Sequence, residues 1–288
     1  MDERLFTRLD ALVQSGPVVL ASVVATRGAT PRKAGSRMLV TSDDAEFSVG
    51  GGLAEARVID AARAMLLRAE READVAIDLS GGAGTDGVCG GRMQVALRLW
   101  DGSVDRFRAR TLATELQSGR RTTISAAEAG ADATLQPDVR LVIVGAGHCA
   151  LALYELARHL DFDLWVYDRE PARFARAAFA AATCIAGPEA GLARALDTTR
   201  TVHAVLLNRD FTLDIAALEF LAPRRPAFVT MMGSRRRIEA VVAALPQHRD
   251  FLDRVEAPVG IELGAETPHE IAVSILARLV QVRRAATG

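Results

Sequence analysis

The 288-residue chain has only three cysteines, Cys89, Cys149 and Cys184. They form no CxxC pair and share no Cys/His spacing suited to zinc, so a zinc site is excluded and the thiols read as reduced. Net charge is also nearly absent. Thirty-five Lys and Arg against 36 Asp and Glu leave −1, and nothing in that balance attracts nucleic acid or an anionic membrane. No apolar stretch approaches the roughly 18–20 uninterrupted residues of a membrane span. The charged, amphipathic opening MDERLFTRLD lacks the pattern of a signal peptide. The expectation is a soluble, cytoplasmic protein. Half the residues are hydrophobic and a quarter charged, ample for a core, and the length favours two domains.

What the chain does have is glycine at the ends of strands. Leu141, Val142, Ile143 and Val144 run into Gly145-Ala146-Gly147-His148-Cys149-Ala150, and LALYELARHL follows with helical spacing. A continuous apolar run reads as a strand buried on both faces of a parallel sheet. A Gly-x-Gly-x-x-Ala turn between such a strand and a helix is a dinucleotide-binding fingerprint. Gly145 permits the tight turn, Gly147 admits a phosphate to the backbone, and the helix start near His148 offers unpaired N–H groups. A second strand, 164–167, ends at Asp168, where an acidic residue would meet a ribose hydroxyl. The bland alternative is a Rossmann-like unit that holds nothing.

The pattern continues through a short helix over 171–179, strands at 182–185, 204–207 and 227–231, and helices over 214–221 and 238–244. Asn208-Arg209-Asp210 stands at the C-terminal end of a strand, where open α/β sheets bind ligands. Met232-Gly233-Ser234-Arg235-Arg236-Arg237 is a glycine turn loaded with cations at a helix start. Cations there oppose the helix dipole and need a reason, and an anion site supplies one. Before the last helix, over 271–282, Thr267, Pro268 and Glu270 form a capping box, which leaves Glu266 free for function.

The first half opens with a helix ending near Ser15 and continues with strands at 18–25 and 38–40. Between those strands lies a loop carrying Arg27, Arg32, Lys33 and Arg37. Arg forks and exposed amides suit an anionic, oxygen-rich ligand, while the bland reading is a solvated basic hairpin. A third strand over 46–49 enters Gly50-Gly51-Gly52 and a helix from Leu53. Amides at Gly51 and Gly52 could cradle an anion, and Glu55 either complements the helix dipole or faces a ligand. After a strand at 75–79, the loop 80–92 is rich in glycine. Cys89 lies in it beside Arg92, a setting that suits an accessible thiol. A strand follows over 93–99, a short helix over 111–119, and then an Ala-rich connection. The expected domains are 1–115 and 138–288 with a linker at 116–137. The expected fold class is α/β, an N-terminal domain with a mixed sheet and a C-terminal Rossmann-like domain with a parallel sheet.

These motifs resemble the XdhC/CoxF (CoxI) family of accessory proteins for molybdenum hydroxylases. The matching segments are ATRGATPRKAGSRMLV, VGGGLAEARV, VCGGRMQV, VIVGAGHCALAL, VYDRE, MMGSRRRIEAV and PVGIELGAETPHEIAVSILARLV. They cover nearly the whole chain. The resemblance implies a chaperone without turnover that binds molybdenum cofactor, in its molybdopterin or dinucleotide form. Such a protein protects the cofactor while a cysteine desulfurase sulfurates it, and inserts it into an apo molybdenum hydroxylase of the xanthine dehydrogenase/aldehyde oxidase type. A homodimer is expected. The binding residues implied are Arg27, Arg32, Lys33, Gly51, Gly52, Glu55 and Cys89 in the first half. In the second they are Gly145, Gly147, His148, Asp168, Gly233, Ser234, Arg235 and Glu266. Many members carry cysteine where this chain has Leu53, so a thiol role there is excluded and attention moves to Cys89 as the sulfur-handling thiol. No metal-ligand set is expected. The alternative from another class is an NAD(P)-dependent oxidoreductase using the Rossmann-like half, against which the chain shows no convincing hydride-transfer constellation.

Overall fold

A computed structural model describes residues 2–82, 84–174 and 179–285, with the side chain of Arg235 outside that set. The chain divides into two units, 1–137 and 138–288.

The first unit contains α1 (Asp2–Ser15), β1 (Val18–Arg27), β2 (Arg37–Val40), β3 (Ala45–Phe47), α2 (Gly52–Arg68), β4 (Glu72–Asp78), β5 (Arg92–Trp100) and α3 (Gly102–Gln117). After them come β6 (Thr122–Ile124), α4 (Ala126–Ala129) and β7 (Ala133–Leu135). The five-stranded sheet has the order β3-β2-β1-β5-β4. Alternation sorts its side chains: Val19, Ala21 and Val23 pack with α2 on one face. Val18 and Leu20 pack with α1 and α3 on the other. Both faces are covered along Val18–Val23, where β1 is buried and apolar except for Ser22.

Every pairing described in this sheet is antiparallel, which corrects the expected mixed sheet. A strand–helix–strand sequence suggests parallel neighbours, but β3 and β4 lie at opposite edges with three strands between them. Two further differences concern boundaries. The helix expected over 111–119 begins at Gly102, where the Asp101 carboxylate accepts from the Gly102 N–H at 2.7 Å. The expected linker 116–137 is folded into the first unit. It contains the β6–β7 hairpin and a capping box of Ser125 and Glu128, and it buries Ile124, Ala129 and Leu135 in the core beside α1 and α3.

The second unit contains β8 (Val139–Val144), α5 (His148–Ala157), β9 (Phe162–Asp168), β10 (Thr183–Ala186), α6 (Ala193–Leu196) and β11 (Val202–Leu206). It continues with α7 (Phe211–Leu221), β12 (Phe228–Met231), α8 (Arg235–Ala244), α9 (Arg249–Leu252) and α10 (Pro268–Ala285). Its sheet is parallel, in the order β10-β9-β8-β11-β12. The helices α5 and α10 cover one face, and α7 and α8 cover the other. Strand order reverses between β8 and β11, and the carboxyl ends there form the crevice in which such sheets bind ligands. Of the helix expected over 171–179, Pro171–Arg173 form a 3₁₀ turn, and 175–178 lie outside the described residues. No helix among the described residues is long and apolar enough to cross a membrane.

Candidate functional site

In the second unit a cleft of about 320 Å³ lies at the strand reversal, lined by the Gly145–Cys149 turn, Asp168 to Glu170, Asn208 to Asp210 and Met232. An adjoining hollow reaches Leu151 and Ala172. The sequence-predicted residues Gly145, Gly147, His148 and Asp168 are therefore brought together. Gly147 is instructive. Its φ of −83° is open to any residue, and a Cβ there would meet no protein atom within 4 Å. The space before it belongs to the cleft, and no side chain caps the first turn of α5. That turn keeps donors for an anion.

Asp168 departs from the ribose-binding expectation. It is buried, and one carboxylate oxygen accepts from the Ala146 N–H at 2.7 Å while the other accepts from the Glu170 N–H at 2.9 Å. Its charge fastens the glycine turn to the end of β9. Two other expectations also shift. Gly233 and Ser234 start α8, but the cation that folds back over this turn is Arg237, which is ion-paired with the buried Asp214; the Arg235 side chain lies outside the described residues. Glu266 is exposed and is not among the residues lining the cleft; its N–H donates to Glu270, as does that of Thr267.

In the first unit three loops meet at one end of the sheet. The loop between β1 and β2 is closed at its base by mutual bonds of Val23 with Gly35 and Ser36. Its Gly28 stands against Gly90 and Gly91, so close that an added Cβ would lie only 3.0 Å from the Gly90 carbonyl oxygen. Pro31 lies against Gly50 of the glycine turn. Arg57 Nη1 of α2 donates to both carboxylate oxygens of Asp86 in the third loop, at 2.8 and 3.0 Å. Burial alone would raise the Asp86 carboxyl, but the Asp78 N–H and the Arg57 guanidinium hold it below its ordinary range.

Arg27, Arg32, Lys33 and Cys89 are exposed on this cluster, and Lys33 is the chain's sole lysine. Arg37, counted with the loop cations in the sequence, turns inward: it pairs with Asp2 at 3.1 Å and lies over the Phe6 ring. Glu55 accepts from the Ser48 hydroxyl at 2.6 Å and from the Gly51 N–H at 3.1 Å. It therefore holds one of the amides proposed for a ligand. Among the described residues no group of three or more His, Cys, Asp and Glu side chains is placed to hold a metal ion.

Sequence reasoning missed the network of Asn208, Asp214 and Arg237 beside the cleft. The placement of residues 208–210 at a strand end was the one signal pointing to it.

Comparison with known proteins yields matches for both units. The model of the XdhC Rossmann domain matches residues 141–279, and that of the XdhC and CoxI family matches residues 11–76. A probable xanthine dehydrogenase subunit from Bacillus subtilis (strain 168) is 29% identical over 152 residues, covering 52% of this chain and 44% of its own. The molybdenum cofactor insertion chaperone PaoD of Escherichia coli (strain K12) is 24% identical over 312 residues, covering 98% of this chain and 89% of its own. This chain spans less than half the length of the first two curated relatives it matches. A crystal structure of a xanthine dehydrogenase from Bacillus halodurans superimposes with a TM-score of 0.85 at 23% identity, over 99% of this chain and 96% of that one. At that identity the likeness is one of fold.

Proposed function

The chain belongs to the XdhC and CoxI family, and on that premise we propose that it binds molybdenum cofactor and delivers it to a molybdenum hydroxylase of the xanthine dehydrogenase type. The observation that carries this reading is the convergence of the three loops at one end of the first sheet. They bring exposed Arg27, Arg32 and Lys33 beside a run of glycines. Guanidinium forks and backbone amides fit the phosphate and oxygen-rich pterin of such a cargo. With no metal-ligand cluster among the described residues, the side chains present suit the organic part of the cofactor. The cleft of the second unit, taken by itself, is a second place that suits the cargo's phosphate or an attached nucleotide, at Gly147 and the first turn of α5.

Sulfuration by a cysteine desulfurase belongs to the same reading, with exposed Cys89 as the thiol that handles sulfur. The protein acts as a carrier without turnover, in the cytoplasm and as a homodimer.

Equilibrium binding of the purified chain to molybdenum cofactor, with NADH and NADPH titrated alongside, tests the proposal. Arg32→Ala is expected to weaken cofactor binding about tenfold, the loss of one charge-assisted hydrogen bond of about 1.4 kcal/mol. Unchanged affinity removes Arg32 from the site. Cys89→Ala should impair receipt or retention of the sulfido group and lower activation of the recipient enzyme in a reconstituted sulfuration assay; full activation removes Cys89. Nicotinamide binding without cofactor binding would replace the carrier with an oxidoreductase.

A further inference from the structure

The end of β11 leads into a lip, residues 207–210, which faces the Gly145–Gly147 turn across the strand reversal and lines the cleft. A buried ionic network holds it. Asp214 of α7 is 0% exposed. One of its oxygens accepts from the Asn208 amide at 3.0 Å, and the other is ion-paired with Arg237 of α8. Arg237 also donates to the main-chain carbonyls of Asn208 at 3.0 Å and of Arg209 at 3.1 Å. One carboxylate and one guanidinium thus fix a side chain and two consecutive carbonyls of the lip.

The surroundings are fitted to this network. A Cβ on Gly145 would come within 2.7 Å of the Asn208 side-chain oxygen, and one on Gly233 within 2.5 Å of Arg237 Cδ. Both glycines also adopt positive φ, +102° and +143°, so the close passage of the network is a second reason that neither carries a side chain. A buried ion pair is a poor device for stability, since an apolar pair of similar volume does as well or better. A basic first turn on α8 also runs against the helix dipole. Both features are accounted for if the network exists to set the geometry of the lip.

The lip displays Arg209, which is exposed and lines the cleft. The other arginines there are engaged, Arg169 with Glu189 at 3.8 Å and Arg173 with Glu170 at 3.1 Å. Among the described residues the Arg209 guanidinium has no ion-pair partner. Opposite it lie Gly147, with open space at its Cβ position, and the uncapped first turn of α5.

We propose that Arg209 is a phosphate-binding residue of this cleft and that the Asp214–Arg237 pair is the positioning device that holds it there. The inference rests on the reading that the cleft takes the cargo's phosphate. An anionic phosphoryl group on the α5 turn receives a charge-assisted bond from Arg209 across the cleft. Asp214 and Arg237 touch no ligand and act through the lip.

Inorganic pyrophosphate is the probe, titrated by calorimetry into the full chain. Protection of Cys149, which lines the cleft, from alkylation locates the binding by peptide mass spectrometry. Arg209→Ala is expected to weaken binding at least tenfold, and Arg209→Lys to recover most of the loss. Asp214→Asn can unfold the unit by stranding a buried charge, so the decisive variant is the double replacement Asp214→Leu/Arg237→Leu. It should keep the wild-type melting temperature or exceed it, yet bind pyrophosphate as weakly as Arg209→Ala. Wild-type binding that Arg209→Ala leaves undiminished overturns the inference alone. A double variant with full affinity overturns the positioning role. Absence of binding and of Cys149 protection in the wild type overturns both the inference and the phosphate reading of the cleft.

Discussion

Between pH 7 and pH 4 the second unit is expected to lose about 3 kcal/mol of stability through one imidazole, that of His203. His203 lies in β11 and is 3% exposed. Its ring meets the Phe228 ring edge-on at 5.5 Å, and its Nδ1 has no hydrogen-bond partner among the described residues. Burial, reinforced by the positive charge of Arg283, depresses its pKa from 6.5 to about 4. The folded form therefore holds the neutral ring, while the unfolded chain takes up a proton as pH falls below 6.5. Stability is intact above that value, declines by about 1.4 kcal/mol per pH unit through the window, and levels off below pH 4. Carboxylates titrate in the lower part of the same range, so the measurement is a comparison. Urea unfolding of wild type and His203→Leu from pH 7.5 to 4 should show the extra slope only in the wild type. An identical slope in both would assign the acid sensitivity elsewhere.

Gly91→Ala is expected to have an effect of similar size in the first unit. A Cβ at this position would lie 2.3 Å from the Ala29 carbonyl oxygen and 2.6 Å from that of Arg27. Both obstacles are main chain, so no rotamer change relieves the overlap. The ends of β1 and β5, paired at Arg27 and Arg92, must separate, and overpacking of this kind costs about 1–3 kcal/mol. The damage falls on the three-loop cluster, because the same contact joins the Arg27–Arg37 loop to the Cys89 loop. A lower urea midpoint with an unchanged slope should accompany more than tenfold weaker cofactor binding. Gly16→Ala, where a Cβ meets nothing within 4 Å, is the packing control. Wild-type stability in Gly91→Ala would show that the loops separate freely.

The parts of the fold that could be read from the chain are those whose signal is local. The run Leu141–Val144 with its glycine turn announced a parallel strand and a helix, and Thr267, Pro268 and Glu270 announced the start of α10. Strand placement was not local, since nothing in β3, α2 or β4 says that they cross the whole sheet. The start of α3 was hidden by its charged residues, and the folded character of 122–137 by elements of only three or four residues that each bury one side chain, Ile124, Ala129 or Leu135. At the candidate site the three loops were each visible, but their meeting depends on contacts such as Gly28 with Gly91, far apart in sequence. The roles of Glu55 and Asp168 are ambiguous in the sequence for one reason. A carboxylate beside a glycine turn looks the same in sequence whether it faces a ligand or the turn's own amides.

That arrangement has a consequence for cargo exchange. Two of the glycine turns already contain an internal carboxylate, Glu55 at the Gly51 N–H and Asp168 at the Ala146 N–H. On the carrier reading, a phosphate at α5 meets the open donors of the first turn, but one arriving at the Gly51 amide exchanges places with the Glu55 carboxylate instead of entering an empty hole. Its net gain is the difference between two similar interactions, and when it departs the amide is satisfied again at once. Release then leaves behind no stranded donor, so the barrier to letting go is low. On the carrier reading proposed above such a substitute serves release, whereas it would weaken an enzyme's substrate clamp.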